Sequence, residues 1–228
     1  MRRKPKTAVE FVAELEAQPE YVARKREFEE KRQDSVRQHR LIARPVIEDL
    51  KKAGYAIKTL DELRTSGTRY DSAVPVLLKW LPLISDESVK ESIVRTLSVP
   101  WAKPAAVMPL IAEFLGAPES ADNLKWAIGN ALRVVGDDSV FDHLRGLVRD
   151  SRHGKARQMI VLSLGKMKDP RVVDTLVELL DDEDVSGHAL DALIKYDPRI
   201  AHRHLERFVG DWRPWVRKLA IKTLSKLG

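Results

Sequence analysis

The sequence predicts an all-α fold: helix pairs stacked into a solenoid (an α-α superhelix). Three observations predict it. Apolar residues recur at helical spacing with a long fixed period, turn chemistry marks each joint, and no strand-like alternation competes. Composition agrees. The 228 residues are 43% apolar and 32% charged, enough for a sizeable core and too apolar for disorder. Only 11 glycines argue against nucleotide-binding glycine loops, and the absence of cysteine excludes disulfides, thiolate metal sites and cysteine nucleophiles.

Residues 1–68 differ from the rest. The basic start Met1-Arg2-Arg3-Lys4 has the look of a signal-peptide head, but Glu10, Glu14 and Glu16 stand where an apolar run would follow. No window of about 18 apolar residues exists for a membrane span, so a cytoplasmic protein without membrane contact is expected. Ala8 to Leu15 reads as a short helix stopped near Pro19. Tyr21 to Arg40 reads as a long charged helix laced by i,i+4 pairs such as Glu27–Lys31. Leu41 to Ala53 is more amphipathic (Ile42, Val46, Ile47, Leu50) and ends at Gly54, and Leu60 to Arg64 adds a helical turn before Ser66-Gly67. The region serves either as a polar cap on the first repeat or as an arm for dimerisation or partner capture.

From residue 69 the pattern repeats. First helices are expected at Pro75–Leu81, Pro109–Leu115, Phe141–Val148, Val173–Leu180 and Ala201–Val209; aligning their last residues gives separations of 34, 33, 32 and 29. Second helices end in Leu97, Leu132, Leu164, Leu193 and Leu224, separated by 35, 32, 29 and 31. Ile93 and Val94, Ile128, Ile160 and Val161, Leu190, and Ala220 precede these leucines at i−3 or i−4. Ser85-Asp86-Glu87, Gly136-Asp137-Asp138-Ser139, Lys168-Asp169-Pro170, Asp181-Asp182-Glu183-Asp184 and Asp197-Pro198 supply the stops and N-caps. The repeats fall at about 69–104, 105–139, 140–170, 171–199 and 200–228.

The segment from Lys168 to Asp181 (KDPRVVDTLVELLD), followed by Val185 and Ala189-Leu190-Asp191-Ala192-Leu193, resembles HEAT repeats of the short lyase-type class. Asp211 to Leu224 is similar to the second helix of such a repeat, and the whole chain resembles bacterial HEAT-repeat proteins of unnamed role. The resemblance covers residues 69–228; it implies the fold and, as an expectation, a scaffold for protein–protein interaction.

No catalytic constellation is legible. The histidines His39, His143, His153, His188, His202 and His204 include no i,i+4 pair, and His202 and His204 face different ways on a helix. Ser163-Leu164-Gly165-Lys166 matches SxxK but sits in an ordinary repeat helix without the companion motifs of acyl enzymes. The run Asp181–Asp184 fails as a calcium loop, because Ser186 and Ala192 occupy the positions that need glycine and glutamate. The expectation is a protein that is not an enzyme and needs no metal or cofactor.

The basic residues carry more information. Seven positions before each terminal leucine stand Lys90, Lys125, Arg157, Ser186 and Arg217, a ladder of cations with one gap. Such a ladder either pairs with turn aspartates of adjacent repeats, as the resemblance implies, or forms a stripe for phosphates or an acidic partner. On the last helix Trp215, Lys222 and Lys226 fall close together on the helical wheel with Lys218 beside them, a combination that can hold a nucleic-acid backbone and stack a base. Trp212, Trp215 and Arg217 superficially resemble the groove of HEAT-like alkylpurine DNA glycosylases. No Trp-Trp-Asp cluster stands in a middle repeat, however; Trp126 accompanies Lys125 and Asn130 instead.

The second helices present a varied face: Glu91, Arg95, Trp126, Asn130, Gln158, Asp191, Lys218 and Lys222. That variety suits a shaped protein or peptide partner better than a uniform polyanion, which leaves nucleic acid as the alternative. The oligomeric state stays open. Charge distribution points the same way. Residues 1–58 carry 15 basic and 10 acidic side chains (+5) and residues 203–228 carry 7 and 2 (+5), so within the net +6 the span 59–202 is −4. Two basic ends flank a mildly acidic middle.

Overall fold

The computed structural model describes residues 7–227, so the basic start Met1–Lys4 lies outside the described residues. Thirteen α-helices joined by turns and short 3-10 segments make up the described residues. The chain divides into two compact units, Met1–Pro45 and Val46–Gly228.

In the first unit, α1 (Ala8–Glu16) begins at Thr7, whose hydroxyl accepts from the Glu10 amide while the Glu10 carboxylate accepts from the Thr7 amide. This capping box satisfies two orphan donors at once. α2 (Pro19–Lys52) carries the anticipated Glu27–Lys31 ion pair at 2.6 Å, and Lys25 reaches Glu16 of α1 at 2.7 Å. The sequence separates Tyr21–Arg40 from Leu41–Ala53, whereas the structure makes them one helix. Nothing between Arg40 and Leu41 breaks it, and Pro45 only removes the amide that would have bonded the Leu41 carbonyl. The helix stops where expected, because Gly54 takes φ +97°, open to glycine at little cost.

The second unit contains α3 (Leu60–Thr65), N-capped by Thr59 and packed on α5, followed by five helix pairs. The first helices are α4 (Ala73–Trp80), α6 (Val107–Gly116), α8 (Phe141–Arg149), α10 (Arg171–Glu178) and α12 (Pro198–Leu205). Their partners are α5 (Glu87–Leu97), α7 (Asp122–Val135), α9 (Gln158–Leu164), α11 (Ser186–Tyr196) and α13 (Pro214–Leu227). Each first helix packs on its own partner. The second helices also pack in series, α5 on α7, α7 on α9, α9 on α11 and α11 on α13, while no two first helices touch comparably. The second helices therefore form the inner, closely spaced rank and the first helices the outer one. Glycine permits part of this approach: a Cβ on Gly165 would lie 2.6 Å from the Ala192 carbonyl oxygen of α11.

The core confirms the repeat and corrects its register in two places. Leu97, Leu132, Leu164 and Leu193 are fully buried; Leu224, at the end of the series, is half-buried. Among first helices Leu81, Val148 and Leu180 are buried, but Leu115 is 58% and Val209 41% exposed. Phe114 and Phe208 take the core positions instead. In α6 the residue four after buried Leu110 is Phe114, and Leu115 lies a further 100° round the helix. After Leu205 the chain tightens into a 3-10 turn (Glu206–Phe208), so the next core position comes three residues on rather than four.

Candidate functional site

The ladder of cations is built into the stack. Arg157 is wholly buried: its guanidinium donates to the carbonyls of Gly154 (2.9 Å) and Val148 (2.8 Å) and to the Asp182 carboxylate (2.7 Å), with Asp184 at 3.9 Å. Asp182 and Asp184 belong to the turn before α11, so this residue of the third pair clamps the fourth. Lys90 pairs with Glu113 of α6, tying the first pair to the second. Lys125 is 2% exposed, its ammonium 5.7 Å from the ring centre of Phe114. Arg217 donates to the Asp211 carbonyl at 2.8 Å.

At the gap, Ser186, a cation arrives from the next pair. Arg213 donates to the Ser186 hydroxyl (2.9 Å) and the Glu183 carbonyl (3.2 Å) while paired to Asp211 at 2.8 Å. Sequence reading passed over Arg213, although it belongs to a recurrent pattern. In Asp150-Ser-Arg152, Asp169-Pro-Arg171, Asp197-Pro-Arg199 and Asp211-Trp-Arg213, each aspartate accepts the arginine's backbone amide and its guanidinium together. The side-chain bond mimics a backbone turn, and all four stand where a helix or 3-10 segment begins. Hydrogen bonds from its arginine hold each carboxyl below the usual aspartate range.

With these cations used internally, the inner face is chemically mixed. Arg95 pairs with Glu91 on α5 at 2.6 Å and lies over the ring of Trp126 on α7, 5.7 Å from its centre. Trp126 is 42% exposed, and its carbonyl accepts from the Asn130 amide. Gln158 on α9 donates to the Asp184 carbonyl at 2.8 Å, and Asp191 on α11 pairs with Lys195 at 2.7 Å. On α13, Trp215 packs over Gly187, where a Cβ would come within 2.9 Å of its ring, and tilts against His188 at 5.1 Å. Lys218, Lys222 and Lys226 are exposed along the same helix.

A cleft of about 610 Å³ opens at the α5–α7 end of this face. Arg64, Arg69, Arg95, Tyr70, Trp101 and Asn130 line it, and no carboxylate does. Tyr70 meets Trp101 edge-on at 5.2 Å and donates to the Thr96 carbonyl at 2.9 Å, fixing both rings. The arginines answer to carboxylates outside the lining: Asp61, Asp71 and Glu91. Of this lining the sequence singled out Arg95 and Asn130; Arg64 lies in the last turn of α3, and Arg69 and Tyr70 lie in the connection after it, outside the repeat pattern.

Among the described residues, no group of three or more His, Asp or Glu side chains is placed to hold a metal ion. No helix there is long and apolar enough to cross a membrane. A family model described as HEAT repeats matches residues 108–194, the span from α6 to α11. No curated protein and no solved structure matches the chain.

Proposed function

We propose that this HEAT-repeat chain is a non-enzymatic scaffold of the cytoplasm that holds a protein or peptide partner on the inner face of its second helices. HEAT repeats commonly serve as interaction scaffolds, which sets the class. One observation carries the reading for this chain. Of the cations that a phosphate track would need, Lys90 and Arg157 are spent between repeats and Lys125 is buried against Phe114 of its own pair, and the remaining face alternates acid, base, amide and indole. A uniform polyanion gains little from such a face, whereas a shaped protein surface can match it residue by residue. The aromatic-walled cleft beside Arg95 and Trp126 is the natural anchor point, since arginine and tryptophan dominate interface energetics. Within residues 1–68, α3 on α5 serves as a cap for the first pair.

The reading is tested by affinity capture with the full chain alongside a variant carrying Trp126→Ala and Lys222→Glu. The variant should lose the captured protein while its melting temperature stays within a few degrees. A mobility-shift series with single- and double-stranded DNA and RNA completes the test. Tight binding that falls steeply with salt would replace the protein partner by nucleic acid.

A further inference from the structure

At the C-terminal ends of α7 and α9, three cations line one cavity and none of them is ion-paired among the described residues. Lys103 comes from the connection between the first and second pairs, Arg133 from the last turn of α7, and Lys166 from the residue after Gly165 beyond α9. With Lys168, Asp137 and Asp138 they line a cavity of about 360 Å³. Among the described residues no carboxylate lies within ion-pair distance of Lys103, Arg133 or Lys166. Their ammonium contacts are long ones to carbonyls: Lys103 to Gly136 and Lys166 to Arg133, both 3.4 Å. The two acids in the wall offset part of this charge, Asp137 through its attraction to Lys103, while their hydrogen bonds go to other groups. Asp137 accepts from the Ser139 amide and hydroxyl (3.1 and 2.6 Å), and Asp138 accepts from the Lys168 amide at 2.7 Å.

Like charges around one cavity repel, and several other cations of this chain are paired across repeats instead. Arg149–Glu178, Arg171–Asp142 and Arg207–Asp181 all join neighbouring repeats. Burial and the surrounding charges of Arg133, Lys103 and Lys195 push the Lys166 ammonium below its ordinary range, and Lys195 itself is held by Asp191 at 2.7 Å. An anion in the cavity relieves that repulsion. The arrangement concentrates charge at a point instead of spreading it along a track, and Asp137 and Asp138 in the wall oppose an extended polyanion.

We infer that this cavity binds the phosphate group of a phosphomonoester, with Arg133 as the two-pronged donor and Lys103 and Lys166 as point charges. The group is a dianion above its second pKa of about 6, which matches three free cations better than a monoanionic diester does. A free phosphorylated small molecule and a phosphorylated side chain share this chemistry. The site does not rest on the interaction reading above, and either can fail alone.

The experiment is calorimetric titration of the full chain at constant ionic strength with inorganic phosphate, phenyl phosphate, and a serine peptide with and without its phosphate. Saturable phosphate binding is expected, weaker at pH 5.5 than at 7.5. Affinity should fall about tenfold or more in Lys166→Gln and in Arg133→Gln and stay unchanged in Lys58→Gln. Arg133→Lys and Lys103→Gln, with helicity checked by circular dichroism, provide intermediate variants if a first substitution unfolds the chain. Preference for the phosphopeptide identifies a side chain as the source; equal binding of phenyl phosphate identifies a free ester. The proposal is overturned if the intact chain binds no phosphate. It is equally overturned if the variants bind as well as the parent, or if a single-stranded oligonucleotide binds the same residues more tightly. Lower melting of the variants without phosphate binding would mean that the cations only cap the carbonyls of α7.

Discussion

Arg157 and Lys125 occupy equivalent positions in successive repeats but differ in how their charge is met. Arg157 has two backbone carbonyls and the carboxylates of Asp182 and Asp184, so removing it leaves buried acceptors unmet. Arg157→Ala, which leaves the buried Val148 carbonyl unmet beside partly exposed carboxylates, should cost about 1–3 kcal/mol in denaturant unfolding. Lys125 is 2% exposed, its ammonium near the face of Phe114 and no carboxylate within ion-pair distance among the described residues, so Lys125→Met, similar in shape, should keep or raise the melting temperature. The ladder itself was legible from spacing. Its use was not, because burial of a cation depends on carboxylates 25 residues away that only the stack brings close. The Asp-x-Arg turns give a pH signature. Their folded pKa values lie below the unfolded value, so the unfolded chain binds more protons in acid. Their stabilisation is complete above about pH 3.9 and is lost as pH falls through the lower folded values. Burial lowers the pKa values of His153 and His188, so these side chains stay neutral in the fold to below the unfolded value. Thermal melts should therefore show a first decline as pH drops below about 6.5 and a second below about 4.

At the scale of the element, the register of the first helices decides which aromatic side chains hold the pairs together. Phe114→Ala should cost about 3–5 kcal/mol, whereas Leu115→Ala, one residue on and exposed, should cost under about 1 kcal/mol. Chemical denaturation of the two variants distinguishes the observed register from the one aligned on Leu115. The misalignment has a local cause. A fixed period assumes equal turns, but the 3-10 tightening at Glu206–Phe208 removes one residue from the count and α6 meets its neighbours through Leu110 and Phe114. Periodicity showed that five pairs exist and where the second helices lie; it could not show where a helix tightens. The continuity of α2 through Leu41 escaped for a related reason, since a change in amphipathic character along a helix is not a break in it.

At the scale of the whole molecule, charge is divided by location. Cations between repeats stitch the stack, Lys103, Arg133 and Lys166 line one cavity, and the inner face mixes acid, base, amide and indole. The fold was almost entirely legible in the sequence because stacking forces every repeat to show the same apolar positions. The cleft was only half legible. Arg95 and Asn130 lie on repeat helices, while Arg64 lies in the last turn of α3 and Arg69 and Tyr70 follow in a connection whose position no period predicts. The most direct test of the interaction claim compares two faces of one folded protein in its native cell. A photo-crosslinking residue replaces Trp126 on the inner rank or Met108 on the outer rank, both exposed side chains. The account predicts a discrete crosslinked protein from position 126 and none from position 108. Equal crosslinking from both, or crosslinks to nucleic acid alone from position 126, would contradict it.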